Sequence, residues 1–287
     1  MKNKTGKGNV ILRVILSVVV FSFFIKIDTL FSMMNTLAEK GWPLLVIILT
    51  AVVIRMFFAG LVVLIVLPLI LGFKNWRSWL PEYLRVDSKI VLTGFISFGV
   101  FCTLATIVSV GMGIFKADLS TVFSFPDIRP DPDVIGWGYF LLALVPAIWE
   151  ELAFRGLIQS KLRKVFSIKL SILLSAASFG IFHFSNLLTQ SPAQALPGVI
   201  LALFFGIGWG YLTVRTRSVV PAMISHYLVD SMGQIFLNVD NSDPALTTGF
   251  FLLLTLLFPV FNILLARIVY KEMDMNLSAP IQSGDLA

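Results

Sequence analysis

A series of long apolar segments, separated by short charged or Pro/Gly-containing connections, constrains this chain more than any other feature. A helix needs about 20 apolar residues to cross the hydrocarbon core of a bilayer, and eight segments approach or exceed that length. They run roughly over residues 10–27, 42–72, 90–115, 134–159, 170–188, 193–214, 219–237 and 247–269. The second is too long to stand upright and too short to cross twice, so we expect it to tilt, project or kink near Pro68. The pattern predicts an all-α, polytopic membrane helix bundle with about eight transmembrane helices.

The composition agrees with this fold class. Charged residues make up 13% of the chain and hydrophobic residues 57%, whereas soluble domains carry about 25% charged residues. These values exclude an ordinary soluble domain and also a disordered chain, which needs low hydrophobicity and high net charge. The single cysteine, Cys102, excludes an internal disulfide and a thiolate metal site.

The distribution of the 22 Lys and Arg residues predicts the orientation of the bundle. Most of them fall at the chain ends and in alternate connections, while the remaining connections are mainly acidic. The positive-inside rule therefore predicts that both termini are cytoplasmic and that the number of spans is even. The net charge of +6 then reflects topology, and we expect no nucleic-acid partner. Arg13 interrupts the first apolar run and no small-residue cleavage site follows it, which favours a retained span over a secretory signal.

Outside the spans, two segments are expected to lack regular structure. The connection 118–133 contains three prolines and is typical of an irregular outer loop. The polar tail 275–287 is expected to be unstructured. We divide the chain into residues 1–133, with the N-terminal helices and the outer loop, a core of residues 134–238, and residues 239–287, with the last helix and the tail.

Three carboxylates and two histidines lie well inside the apolar spans: Glu150, Glu151, Asp230, His183 and His226. The two histidines are the only ones in the chain. Such groups are costly at membrane depth and mark functional sites by default. Counted from the last basic residue of each span, Glu150, His183 and Asp230 each lie about 20 Å along the helix. This common level requires that the helix carrying Glu150 continues to the basic residues near 164.

Helical spacing assigns these groups to faces. Glu151 and Arg155 lie at i and i+4 and can form an ion pair, which we interpret as structural. Glu150 lies about 100° away from Glu151 around the helix and has no cation partner in its own span. A carboxylate without such a partner is available to act as a general base. His226 and Asp230 are again at i and i+4, on one face.

The alternative for any single one of these groups is a hydrogen bond between helices. Gly206 and Gly210 form a Gly-x-x-x-Gly pattern, which favours close helix packing over phosphate binding. Arg55, in the middle of the second span, has no assigned role. The interpretation that all five groups have only a structural role is less favoured.

Three short motifs occur in order along the core. Residues 150–155 fit E-E-x-x-x-R, residues 179–183 fit F-x-x-x-H with Phe179 one turn before His183, and residues 226–230 fit H-x-x-x-N/D. In this order on successive membrane helices, they resemble the CPBP family of intramembrane proteases. This family includes the CAAX proteases, the bacteriocin-processing or Abi group and the Rce1-like endopeptidases. The resemblance covers about residues 134–230.

The resemblance implies an integral, multi-pass membrane endopeptidase, in the cell membrane if the chain is bacterial. It implies that Glu150 activates water together with His183, and that His226 and Asp230 bind the substrate carbonyl or the oxyanion. An aspartate donates a hydrogen bond only when protonated, so orienting His226 or binding a metal suits Asp230 better.

The cofactor stays open at this stage. Members of the family have been called metalloproteases, and Glu150, His183, His226 and Asp230 would be an adequate ligand set for a divalent metal such as zinc. A metal-free, glutamate-dependent mechanism is equally favoured. The partners expected are the bilayer and a peptide or membrane-protein substrate, with a CAAX-type C-terminus as one possibility.

Two other function classes stay open. The chain contains no His-Glu-x-x-His, Gly-x-Ser-x-Gly or Gly-x-Gly-Asp motif, which excludes the corresponding zinc, serine and paired-aspartate proteases. A proton-coupled transporter could use the same titratable groups as a relay, although no inverted repeat is detected. A non-catalytic relative that gives immunity to a peptide toxin is the other alternative.

Overall fold

The computed structural model describes residues 6–25, 36–37, 39–73, 80, 83–116, 138–188, 191–237, 239–240 and 242–271. The expected outer loop 118–133 and tail 275–287 lie outside the described residues. Within these ranges the chain is helical and contains no strand, apart from one isolated bridge between Phe115 and Val239. The predicted all-α class is confirmed.

Twelve α-helices form the described part of the chain. They are α1 (Lys7–Ile25), α2 (Leu44–Leu61), α3 (Leu67–Leu71), α4 (Ser88–Gly111), α5 (Gly138–Leu142), α6 (Leu144–Glu151), α7 (Gln159–Arg163), α8 (Ile168–His183), α9 (Pro192–Thr216), α10 (Val220–Met232), α11 (Gln234–Leu237) and α12 (Pro244–Val269). A π-helix at Val62–Val66 joins α2 to α3, and a second one at Leu152–Ile158 joins α6 to α7. A 3₁₀ turn, Phe184–Leu188, follows α8.

Six helices in the described ranges are long and apolar enough to cross a membrane. They are Lys7–Phe24, Leu45–Leu71, Ser88–Gly111, Ile168–Leu187, Ala195–Thr216 and Pro244–Val269. The protein is therefore an integral membrane protein with a polytopic helix bundle, as expected. The other two predicted spans correspond to the helical segments α5–α7 and α10–α11. The total of about eight spans and the cytoplasmic termini stay predictions.

The long second span contains its irregularity just before Pro68. The backbone N–H of Leu67 donates to the carbonyl of Val62, five residues earlier, instead of the usual four. Pro68 has no N–H to donate and its ring crowds the preceding turn of an α-helix. A wider π turn relieves this crowding, so a continuous helix can pass through the proline.

Glycines allow close helix contacts in the core, as where α8 packs on α9. A Cβ added at Gly206 would lie 3.1 Å from the Cα of Ala176, and one added at Gly180 would lie 3.0 Å from the Cβ of Leu203. At Gly210, a Cβ would lie 2.7 Å from Oε1 of Gln159 on α7. The packing role expected for Gly206 and Gly210 is thus present, and it holds α9 against α8 and against the helix of the first motif.

Candidate active site

Glu151 lies at the centre of the charged residues in the core. Its side chain is fully buried, and its Oε1 atom lies 2.9 Å from Nη1 of Arg155 and 2.9 Å from Nδ1 of His226. The ion pair expected between Glu151 and Arg155 is therefore present. The bond to His226 joins α6 to α10 and was not anticipated from spacing within one helix.

Arg155 belongs to the π-helix Leu152–Ile158 and is almost completely buried. Its guanidinium carbon lies 4.2 Å from the centre of the Phe179 ring and 5.5 Å from that of Trp209. The π turn is supported from α8, because the hydroxyl of Ser175 donates to the carbonyl of Phe154 at 2.8 Å. Aromatic faces and the Glu151 carboxylate together stabilise this buried cation.

His226 is held on both sides by carboxylates. Its Nε2 atom lies 3.3 Å from Oδ2 of Asp230, on the other side of the ring from Glu151. The imidazole also stacks on the indole of Trp209, with ring centres 4.5 Å apart and planes 20° apart. Glu151 is fully buried, whereas the Asp230 side chain is 37% exposed, so the cluster opens on the Asp230 side.

A buried polar network anchors the indole that stacks on His226. Nε1 of Trp209 donates to Oγ of Ser225 at 3.0 Å, and Ser225 lies 2.9 Å from Oγ of Ser97 on α4. The hydroxyl of Ser97 donates to Oδ1 of Asn262 on α12, and the Asn262 amide donates to the carbonyl of Phe258. Four helices therefore converge on the support of one imidazole.

Glu150 lies beside this cluster and makes no hydrogen bond or ion pair with a described residue. It is 7% exposed and lies within electrostatic range of both His226 and Asp230. The preceding residue, Trp149, packs its indole on Gly60 of α2, where an added Cβ would lie only 3.0 Å away. Helix α2 thus covers the segment that carries Glu150.

His183 lies on the far side of Phe179 and is half-buried. The Phe179 ring meets His183 edge-on at 4.7 Å and His226 at 6.1 Å between ring centres. Nδ1 of His183 lies 2.9 Å from the carbonyl of Phe179. A carbonyl only accepts, so Nδ1 carries a proton, and neutral His183 has its acceptor at Nε2.

The structure thus joins four of the seven predicted site residues directly and places Phe179, Glu150 and His183 beside them. Direct bonds connect Arg155, Glu151, His226 and Asp230, Glu150 lies within their electrostatic range, and Phe179 separates His183 from His226. The helix of Glu150 runs on through the π segment and α7 to Arg163, which is the continuity that the common level of these groups requires.

The four predicted metal ligands do not converge on one point in the described structure. Both ring nitrogens of His226 already face carboxylates. No group of three or more His, Cys, Asp and Glu side chains in the described ranges is placed to hold a metal ion. We derive no step through a metal, and metal dependence stays a prediction.

Sequence reasoning missed the residues that support His226. Trp209, Ser97 and Asn262 all lie in apolar spans, where a tryptophan is typical of core packing and a serine or asparagine of a bond within or between helices. One feature of the sequence could have indicated part of this network: Ser225, a polar residue in an apolar span, lies directly before His226.

Comparison with known families bears on the same region. Residues 132–232, about a third of the chain, match the family model described as "Type II CAAX prenyl endopeptidase Rce1-like". The match includes all three motifs and α5–α10, and it is consistent with a CPBP family protease. By its description, the matched family is one of endopeptidases, which hydrolyse peptide bonds. A comparison with curated proteins gave no match.

Proposed function

We propose that this protein is an intramembrane endopeptidase in which Glu150 activates a water molecule for attack on a peptide bond. The match to an Rce1-like endopeptidase supports the reaction class. The observation that carries the role of Glu150 is its burial without a hydrogen bond to a described residue, beside the His226–Asp230 pair. A carboxylate in such a place can accept a proton from water without first breaking an ion pair.

The charges of the cluster support the same assignment. Glu150, Glu151 and Asp230 supply three carboxyl groups, while Arg155 and a protonated His226 supply two positive charges. With all three carboxyl groups ionised, one negative charge is left uncompensated in a site of low dielectric. When Glu150 takes a proton from water, the side chains of the cluster become neutral together and the negative charge moves to the hydroxide that attacks the carbonyl carbon.

His226 is suited to stabilise the oxyanion. Ionised Glu151 only accepts hydrogen bonds, so Nδ1–H of His226 donates to it and the ring orientation is fixed. When the exposed Asp230 side chain turns away, Nε2–H of His226 can donate to the oxygen of the tetrahedral intermediate. Asp230 thus orients His226 before substrate binds, and its contact with Nε2 supports that role better than a donor role.

The remaining proton transfers use Glu150 and His183. His183, held against the Phe179 ring, helps to orient the attacking water toward the carbonyl carbon. The C–O bond forms as Glu150 takes the proton. When the C–N bond breaks, Glu150 returns that proton to the leaving amine, which gives a free carboxylate and a free amine as products.

The substrate class is the finer part of the proposal. The Rce1-like match supports a peptide presented at the membrane, and a prenylated CAAX C-terminus is the first candidate. An unprenylated membrane or secreted peptide, including a bacteriocin precursor, is the second. Cleavage of a farnesylated CAAX peptide and of the same peptide without the prenyl group, by purified protein in liposomes, distinguishes the two.

Three variants test the chemistry. Glu150→Gln and His183→Ala are expected to reduce cleavage at least about 100-fold, the usual effect of losing a general acid–base group. Glu39→Gln is the matched control, because Glu39 is an exposed carboxylate outside the core, and it should cleave like the wild type. Wild-type rates from both variants would contradict the mechanism. Proton flux into liposomes without hydrolysis would favour a transporter.

Adding a chelator to the cleavage assay tests whether the reaction depends on a metal. We expect cleavage to survive the addition of EDTA, because both ring nitrogens of His226 are engaged by carboxylates in the described site. Loss of activity with EDTA and its return with added zinc would show instead that these side chains rearrange around a metal.

A further inference from the structure

A second charged site lies away from the cluster around Glu151. It is a cavity of about 530 Å³ at the ends of α4, α9 and α12. The described residues that line it include five basic side chains and one carboxylate: Arg85, Lys89, Arg215, Arg217, Lys271 and Asp87. We call this cavity the basic pocket. Neither the motifs nor the proposed reaction uses any of these side chains.

The basic pocket is located where three candidate spans end. One span begins at Ser88, a second ends at Thr216 and a third ends at Val269, so the pocket lies at one membrane–water interface. His226 lies about 9 Å further along α10 from its first residue at 1.5 Å per residue. The pocket and the proposed peptidase site have no residue in common, although α9 contributes residues to both.

A tendency of basic residues to lie on one side of the membrane does not by itself explain this convergence. The pocket residues come from three chain segments that are far apart in sequence, and hydrogen bonds fix those segments to one another. Ser218 donates through Oγ to the carbonyl of Arg85 at 2.7 Å, and the N–H of Val219 donates to the carbonyl of Tyr83 at 2.9 Å. The short loop before α4 is thereby attached to the turn between α9 and α10.

The third segment is attached through Tyr270. Its hydroxyl lies 3.2 Å from Oγ1 of Thr93, and the ammonium of Lys89 lies 4.6 Å from the centre of its ring. The end of α12 is thus held against the first turns of α4. The pocket is a preformed concave site and not a set of separate surface lysines.

The one carboxylate leaves the positive charge in excess. Asp87 caps α4, and its Oδ1 accepts the N–H of Ile90 at 2.8 Å. Even with Arg215 left out of the count, four cations of the described residues surround the cavity, and the one described carboxylate in its lining also serves a helix cap. Arginine side chains bind phosphate oxygens in a fixed, planar geometry, and an anion is the ligand that this charge distribution recognises.

The surroundings favour a lipid as the source of that anion. Leu92, about one turn along α4 from Lys89, is 57% exposed, and Ile268, beside the pocket residue Val269 on α12, is 70% exposed. In a bilayer these side chains contact acyl chains. A phosphate group at the interface and acyl chains beside it are the two parts of one phospholipid, and basic pockets between transmembrane helices are suited to such headgroups.

We propose that the basic pocket binds the phosphate headgroup of an anionic phospholipid at the interface next to the peptidase site. The test uses the full-length purified protein in detergent, with native mass spectrometry to measure the apparent affinity for phosphatidylglycerol. Phosphatidylcholine is the zwitterionic comparison lipid, and inorganic phosphate is the soluble comparison anion. None of these readouts requires peptidase activity, so the result is independent of the proposed function.

The test variant is the double substitution Arg217→Asn and Lys271→Gln. Arg217 has a backbone φ of +53°, a conformation that asparagine tolerates well, so the change removes charge without adding strain. The matched control is Lys164→Gln with Lys169→Gln, two exposed lysines outside the pocket. At about 1 kcal/mol for each basic residue near an anionic lipid, the test variant should bind about thirtyfold more weakly.

Support for the proposal consists of three results together: preference for phosphatidylglycerol over phosphatidylcholine, loss of that preference in the test variant, and its retention in the control. Equal binding of both lipids by the wild type would overturn the proposal. Equal weakening of the two double variants would also overturn it, because the effect would then come from net charge. Displacement of the lipid by an equal concentration of inorganic phosphate would assign the pocket to a free anion.

Discussion

Replacing Glu151 by glutamine keeps the shape of the side chain and removes its charge. In the wild type, one oxygen of this fully buried carboxylate accepts hydrogen bonds from both Arg155 and His226 at 2.9 Å. After the change, the guanidinium of Arg155, whose side chain is 1% exposed, has lost its ion-pair partner. Removal of one partner from a buried ion pair costs about 3–5 kcal/mol.

This cost should be visible in thermal unfolding. For a chain of this size, 1 kcal/mol corresponds to a few degrees, so the apparent Tm of Glu151→Gln should fall by roughly 10 °C. The measurement is intrinsic tryptophan fluorescence of detergent-purified protein at a fixed scan rate. Cleavage should also be lost, because His226 no longer has the carboxylate that fixes its ring.

Glu150→Gln is the matched control, one residue away on the same helix. Glu150 accepts no hydrogen bond from a described residue, so its substitution should shift the apparent Tm by less than about 2 °C while cleavage is lost. The two neighbouring glutamates thus separate chemistry from stability. Equal stability of Glu151→Gln and wild type would refute the assignment of Glu151 as the anchor of the cluster.

A double variant tests the physical reason. Glu151→Leu with Arg155→Met removes both charges and fills the space with apolar groups. Because apolar replacement of an entire buried ion pair is often neutral or stabilising, this variant should be more stable than Glu151→Gln. A lower apparent Tm than that of Glu151→Gln would show that packing, and not an uncompensated charge, explains the loss.

Two further substitutions test the supports of the site. Gly206→Val should lower the free energy of unfolding by about 1–3 kcal/mol in a denaturant titration, because its Cβ would meet the Cα of Ala176 at 3.1 Å. Gly99→Val is the control, because nothing lies within 4 Å of the Cβ that it adds. Equal losses of stability in the two variants would contradict the packing argument. Ser225→Ala removes the hydrogen-bond acceptor of the buried Trp209 indole and should lower the free energy of unfolding by about 1–3 kcal/mol. In a peptide-cleavage assay, kcat should fall while KM changes less. An unchanged kcat would show that this anchor does not matter for catalysis.

Much of the fold could be predicted from the sequence, because hydropathy reports directly on burial in lipid. Each described span lies within a few residues of its predicted position, as at α9 and α12. The two π-helices could not be predicted, since hydropathy does not depend on whether an N–H bonds four or five residues back. Pro68 marked the place of one of them, but the form of the irregularity depends on packing around it.

The contacts of the candidate site also fall into those that the sequence predicts and those that it does not. The Glu151–Arg155 and His226–Asp230 contacts follow from i and i+4 spacing within one helix. The bond between Glu151 and His226 joins residues on different helices, so it depends on the rotation of each helix about its axis. The stacking of Trp209 on His226 has the same origin, and no periodicity in a single span carries that information.

The π-helix Leu152–Ile158 has a consequence for how the length of this segment can vary. A turn closed by a bond to the fifth preceding residue contains one residue more than an α-helical turn. Deleting a single residue there would convert the π turn into an α turn, and α7 could keep the bond from Gln159 to the carbonyl of Gly210, now 3.0 Å. When related chains are aligned, a one-residue gap in this segment is therefore compatible with an intact bundle, whereas a gap of two would rotate Gln159 away from Gly210.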